Sequence, residues 1–158
     1  MAPSPPSVRA RVALMSSILA RSSSDRTRVI TAIDGVQNCT IAPSQGQSTV
    51  ETVIADRKAT VGQLQQIDTR GLPAGTSLIS ELTTTLNAAI SDDVSYMSWM
   101  ADIANGHATC GGNPMSDPNF AAAQAQSNRT NDDKSAFVQI WDQLARTYGQ
   151  PTYGTGDF

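Results

Sequence analysis

Four stretches of this chain carry apolar residues at every third or fourth position, which is the spacing of one face of an α-helix. The stretches cover about residues 7–38, 48–70, 77–105 and 118–148. None alternates apolar and polar residues in the manner of a β-strand. Two longer loops and one tight turn join them, so the pattern predicts an all-α fold, an up-down-up-down four-helix bundle.

Polar runs within the first and fourth stretches leave their continuity open. The run "SSSD" at 22–25 can cap a second helix or lie inside one long helix, and we favour the single helix. The run "AQSNRTNDD" at 125–133 is too polar to be buried throughout. It can fray or divide the fourth helix in two.

Capping residues predict where three helix boundaries fall. Ser48 and Glu51 have the spacing of a capping box, which predicts the start of the second helix. Gly71 predicts its end, because glycine readily adopts the left-handed backbone that follows a helix. Asp117 followed by Pro118 predicts the start of the fourth helix, since aspartate caps free amides and proline lacks one.

The chain has two cysteines, Cys39 and Cys110, which follow the first and third predicted helices. In an up-down-up-down bundle these two helices run the same way, so both cysteines lie at the same end. A disulfide between them is the favoured interpretation. Two free structural thiols, a zinc site and a catalytic thiol assisted by His107 are the alternatives, but zinc lacks a full ligand set and the loop holds no fixed base.

A disulfide bears on the compartment of the protein. Such bonds persist outside the reducing cytosol. The sequence therefore predicts an extracytoplasmic location, secreted or at the cell surface.

Charge and hydropathy argue against several partners. Eleven basic and fourteen acidic residues give a net charge of -3, and the basic residues form no stripe, so no nucleic-acid partner is predicted. No window reaches the roughly 18 consecutive apolar residues of a membrane-spanning helix.

The sequence shows no recognisable catalytic chemistry. It contains no phosphate-binding, dinucleotide-binding or metal-binding motif, so we predict no cofactor, no metal and no enzymatic activity. The doublets Asp92–Asp93 and Asp132–Asp133 lie on helices, where adjacent side chains point about 100° apart. We predict solvated helix faces for both doublets rather than acid–base pairs.

Three neighbouring residues are the candidate contacts with a ligand or partner: Tyr96, Trp99 and Met100. Trp99 lies off the apolar line of Met97 and Ile103, so it either flanks the core or forms an exposed aromatic contact with Tyr96. A pocket between the helices at these residues would instead suit a small apolar ligand.

Over about residues 18–153 the chain resembles a group of actinobacterial extracytoplasmic helical domains for which no activity is known. The resemblance rests on "IADRKATVGQLQQIDTRGLPAG", "LTTTLNAAISDDVSYMSWMADI" and "DKSAFVQIWDQLARTYGQPTY", together with the cysteine pair. In that group the domain usually follows a transmembrane helix and a Pro-rich linker. The resemblance implies an extracytoplasmic helical fold. Because this chain contains no membrane helix, it was cut from a membrane-anchored parent, or it is exported by another route, or it is not exported; these alternatives stay open.

These observations predict a Pro/Ser-rich linker over 1–6, a helical bundle over 7–149 and a tail over 150–158. The expected function is that of a non-enzymatic extracytoplasmic helical-bundle domain, an interaction or sensory ectodomain with a protein partner. The alternative is a carrier or sensor that binds a small apolar ligand between its helices.

Overall fold

In a computed structural model, which describes residues 3–4 and 6–158, the chain forms five α-helices and two short 3-10 helices. The α-helices are α1 (Val8–Gln37), α2 (Pro43–Leu64), α3 (Gly75–Ala104), α4 (Pro118–Arg129) and α5 (Asn131–Tyr148). The described residues contain no β-strand, which confirms the all-α prediction. Of the predicted linker, residues 1, 2 and 5 lie outside the described part of the chain.

The first helix, α1, is continuous, as we favoured from its sequence. The Ser7 hydroxyl caps it by accepting a hydrogen bond from the Ala10 amide at 3.1 Å. The "SSSD" run does not interrupt the helix, and two of its residues face the interior: Ser22 is 1% exposed and Asp25 is 5% exposed.

The second helix, α2, begins earlier than the capping-box spacing predicted. Pro43 occupies its first turn, where a missing amide hydrogen needs no partner, and Ser48 lies inside the helix. The predicted start at Ser48 is therefore wrong, because a proline at the first helical position is the stronger start signal here.

The predicted end of α2 at Gly71 is also wrong, since the helix ends at Leu64. The connection to α3 is a series of turns. Arg11 of α1 holds it by donating hydrogen bonds to the carbonyl oxygens of Asp68 and Arg70, the second at 2.7 Å. These contacts with a distant arginine thus hold a stretch, residues 65–70, that was predicted to be helical.

The predicted fourth helix is two helices, so the described residues contain five α-helices rather than four. Thr130 separates α4 from α5 with backbone angles φ -93° and ψ 2°. Its hydroxyl donates to the Ser127 carbonyl at 2.9 Å, and a short polar side chain of this kind competes with helical hydrogen bonding. Asp132 and Asp133 then occupy the first turn of α5, where the helix dipole stabilises carboxylates.

Two apolar clusters form the core. Members of the first cluster include Val12, Leu19, Leu64, Leu78, Leu82, Phe137 and Trp141. Members of the second include Val29, Val36, Val50, Val53, Trp99, Met100 and Phe120. Along the chain, α1 and α3 contribute to the first cluster and then to the second, whereas α2 contributes in the reverse order.

The segment 150–158 packs on the first cluster. Trp141 Nε1 donates a hydrogen bond to the Pro151 carbonyl at 2.9 Å. Phe158 is 2% exposed, with its ring centroid 5.5 Å from that of Phe137 and 5.4 Å from that of Tyr153. Phe158, the last residue of the predicted tail, is therefore part of the core, and Tyr153 packs against it.

Candidate functional site

A disulfide joins Cys39 and Cys110, with Cα atoms 5.5 Å apart, which confirms the predicted pairing. Two hydrogen bonds support the junction. The Gly111 amide donates to the Gln37 carbonyl at 2.6 Å, and Gln37 Nε2 donates to the Gly112 carbonyl at 2.6 Å. The end of α1 is thus fixed to the loop that follows α3.

A cleft of about 340 Å³ lies between this loop and the start of α4, and exposed His107 lines it. Asp117 also lines the cleft, but its carboxylate caps α4 by accepting the Asn119 amide at 2.8 Å. Asp102 accepts a hydrogen bond from Asn119 Nδ2 at 2.9 Å. Both carboxylates therefore accept hydrogen bonds from Asn119 that hold the start of α4.

The three candidate contact residues lie in the second apolar cluster. Tyr96 is 8% exposed, Trp99 1% and Met100 0%. The rings of Tyr96 and Trp99 pack edge-on against Phe120, with centroids 5.4 Å and 5.0 Å away, and the Tyr96 hydroxyl accepts a hydrogen bond from Gln124. These contacts agree with the packing interpretation, and contact with a ligand or partner stays a prediction.

A layer of buried ionisable residues separates the two apolar clusters. α1 contributes Asp25, α2 contributes Arg57, α3 contributes Asp92 and Asp93, and α5 contributes Lys134; none is more than 9% exposed. On each of α1, α2 and α3 these residues lie between members of the two clusters. We call these five residues the charged layer.

The charges of this layer are incompletely compensated. Arg57 Nε lies 3.3 Å from Asp93 Oδ2 as an ion pair. Neither atom has a hydrogen-bond partner within the described residues, and Asp92 Oδ1 also has none there. Removing charges from water costs several kcal/mol unless hydrogen bonds satisfy them. The layer is therefore costly to keep ionised.

Burial raises the pKa of Asp93 to about 7 and that of Asp92 to about 6, from an ordinary value of 3.8. Attraction to Arg57 opposes both rises, and Lys134 opposes the rise of Asp92, but burial has the larger effect. Burial likewise lowers the pKa of Lys134. In each case the folded structure favours the neutral form.

A surface cleft of about 280 Å³ leads to the α1 side of the layer. It is lined in part by Asp25, Arg28 and Asp56, and Arg28 Nη1 lies 3.2 Å from the Asp25 carboxylate and 3.0 Å from that of Asp56. Burial raises the pKa of Asp25, and repulsion from Asp56 adds to that rise. Asp25 is therefore a point at which the charged layer borders a surface cleft.

The prediction that Asp92 and Asp93 form a solvated helix face is wrong, because they are 9% and 2% exposed. A signal in the sequence could have shown this. Asp93 lies seven residues after Leu86 and seven before Met100, which places all three on one face of α3. Leu86 and Met100 are both 0% exposed, so the carboxylate between them points inward. For the other doublet, Asp132 is exposed, as predicted, whereas Asp133 is half-buried.

Two further features bear on partners. Among residues 3–4 and 6–158, no group of three or more His, Cys, Asp or Glu side chains is arranged to hold a metal ion. Within the same described residues, no helix combines the length and the apolar character needed to cross a membrane.

Comparison of the chain with protein-family models, with curated proteins and with solved structures found no match. The resemblance to actinobacterial extracytoplasmic domains therefore stays a prediction.

Proposed function

We propose that this protein is a non-enzymatic extracytoplasmic sensory domain in which the charged layer responds to the proton concentration of its surroundings. The observation that carries the proposal is the position of the layer, where ionisable groups from α1, α2, α3 and α5 meet between two apolar clusters. Because each of these helices contributes a buried group, a change in charge acts on all of them at once.

The disulfide and the burial of the layer support the remaining parts of the proposal. A crosslink between Cys39 and Cys110 is compatible with an oxidising extracytoplasmic location. Asp93 and Arg57 are 2% and 3% exposed, so they can contact a substrate only if the helices separate. This burial favours a structural response over catalysis.

We further propose that the helices follow an up-down-up-down order, with α4 and α5 together forming the fourth segment. α1 and α3 pass from the first cluster to the second, whereas α2 passes from the second to the first. α4 contributes to the second cluster and α5 to the first, which is the same order as α2. This reversal of cluster order from one helical segment to the next supports an antiparallel arrangement of consecutive segments.

The direction of the response follows from the raised pKa values of Asp92 and Asp93. Between about pH 4 and pH 7 the folded protein binds more protons at these groups than the unfolded chain does, so stability falls as the pH rises. At about 1.4 kcal/mol for each pKa unit, the rise of Asp93 from 3.8 to about 7 corresponds to about 4 kcal/mol lost on ionisation. Acid therefore stabilises the packing around the layer, and higher pH weakens it.

Urea unfolding at about pH 5 and about pH 8 tests this proposal. We expect the protein to be more stable at the lower pH by a few kcal/mol. We also expect amide exchange in α2 and α3, corrected for intrinsic rates, to be less protected at the higher pH. The variant Asp93→Asn, which mimics the protonated side chain, should lose most of the pH dependence.

Asp34→Asn is the matched control, because Asp34 is an exposed carboxylate on α1 and lies outside the charged layer. This variant should keep the pH dependence of the unmodified protein. Equal stability of the unmodified protein at the two pH values would contradict the proposal. So would an Asp93→Asn variant that retains the full response.

A further inference from the structure

One exposed face of the molecule combines apolar side chains with one acidic and one basic side chain. A groove of about 550 Å³ runs between α2 and α3 and includes Ile54, Ala55, Val94 and Met97 among its lining residues. Val94 is 51% exposed, and it borders Ile54, Ala55 and Met97 in this groove instead of standing alone on the surface. Neither apolar cluster of the core includes Val94 among its members or packed neighbours.

Glu51 and Lys58 flank this groove on α2. Both are exposed, and neither forms an ion pair within the described part of the chain. The two positions are equally far along the helix from the point between Ile54 and Ala55. When two copies of α2 cross antiparallel at that point, Glu51 of each copy faces Lys58 of the other. The two Glu51–Lys58 pairs then lie about 10 Å apart along the helix axis.

Gly62 adds an independent observation. It lies on the same face of α2, four residues after Lys58 and seven after Ala55. A Cβ atom at Gly62 would meet no atom of the described residues within 4 Å, apart from its chain neighbours and the nearby backbone of α2 itself, so packing does not require glycine there. In the antiparallel pairing, Gly62 faces Gln47 of the other copy, where a missing side chain lets two helices approach closely.

We propose that the α2–α3 face binds the same face of a second copy of this chain across a two-fold axis. The charges favour this occupant, because a two-fold interface places each patch against itself and so brings Glu51 of each copy to Lys58 of the other. The apolar residues between them supply the buried contact. This surface is separate from the charged layer, so the proposal stands independently of the proposed sensory function.

Sedimentation velocity of the full chain over a wide concentration range tests the proposal. We expect a reversible monomer–dimer equilibrium. Glu51→Lys and Lys58→Glu, each made singly, replace two attractive contacts with two repulsive ones and should weaken the dimer about 10- to 30-fold. The double variant Glu51→Lys/Lys58→Glu should restore dimerisation, and a mixture of the two single variants should form a heterodimer.

Two further variants complete the design. Val94→Glu should weaken the dimer because it places a charge in the apolar centre of the face. Leu14→Glu is the matched control, since Leu14 is 50% exposed on α1, outside this face, and its replacement should leave the dimer unchanged. A chain that stays monomeric at every concentration overturns the proposal, as does a dimer whose affinity the single charge reversals do not change. Circular dichroism and thermal unfolding of each variant establish that it is folded.

Discussion

Removal of the Cys39–Cys110 disulfide should lower the stability of the protein substantially. The bond joins residues 71 positions apart. For a loop of this length, the entropy that the crosslink removes from the unfolded chain corresponds to about 4 kcal/mol at 25 °C. The unfolding entropy is about 2 cal/mol/K per residue, so for the 158 residues this loss lowers Tm by roughly 13 °C.

Differential scanning calorimetry with and without a thiol reductant measures this effect. The variant Cys39→Ser/Cys110→Ser should show the lower Tm under both conditions, which separates loss of the crosslink from other effects of the reductant. Mass spectrometry after alkylation without reductant should find both thiols unmodified in the original protein. Free thiols, or a Tm that the reductant leaves unchanged, would refute the reasoning and remove the support for an oxidising compartment.

Three substitutions test the packing of the helices by urea unfolding. Gly46→Ala should destabilise the protein by about 1–2 kcal/mol, because the new methyl group would lie 2.6 Å from Val36 Cγ2 and overpack the core. Gly62→Ala should instead stabilise the isolated chain by up to about 1 kcal/mol, since open space surrounds that position and alanine is the better helix former; a loss of stability would contradict this. Phe158→Ala should cost about 3–4 kcal/mol if its 2% exposed ring is part of the core, and an unchanged stability would show that segment 150–158 is dispensable.

Helix content and the disulfide could be predicted from the sequence, because both depend on repeating or topological features. The apolar spacing of 7–38 predicted α1 to within a residue at each end. The predicted helix order placed Cys39 and Cys110 at the same end, and a disulfide joins them. The start of α2 was missed because two start signals, Pro43 and the Ser48 capping box, compete within one turn and a half. Its end was missed because Arg11, far away in sequence, binds the connecting turns.

The charged layer could not be predicted as long as Asp92 and Asp93 were considered only as an adjacent pair. Adjacent aspartates on a helix are usually solvated, and only the three-dimensional arrangement places Arg57 of α2 beside Asp93 of α3. The seven-residue spacing from Leu86 to Asp93 and on to Met100 was the available signal. It identifies a carboxylate on a buried face, but it does not say which cation faces it.

The disulfide and the charged layer act on stability in opposite directions and by similar amounts. The crosslink contributes about 4 kcal/mol, and ionisation of Asp93 costs about 4 kcal/mol. Cys39 and Cys110 lie in loops beyond the second apolar cluster, whereas the layer lies between the two clusters, so the two effects should be nearly additive. The free energy of unfolding of an ordinary domain is only about 5–15 kcal/mol. The crosslink therefore offsets the cost of an ionised, poorly hydrogen-bonded layer, and it allows the folded domain to persist over the pH range in which the layer changes its charge.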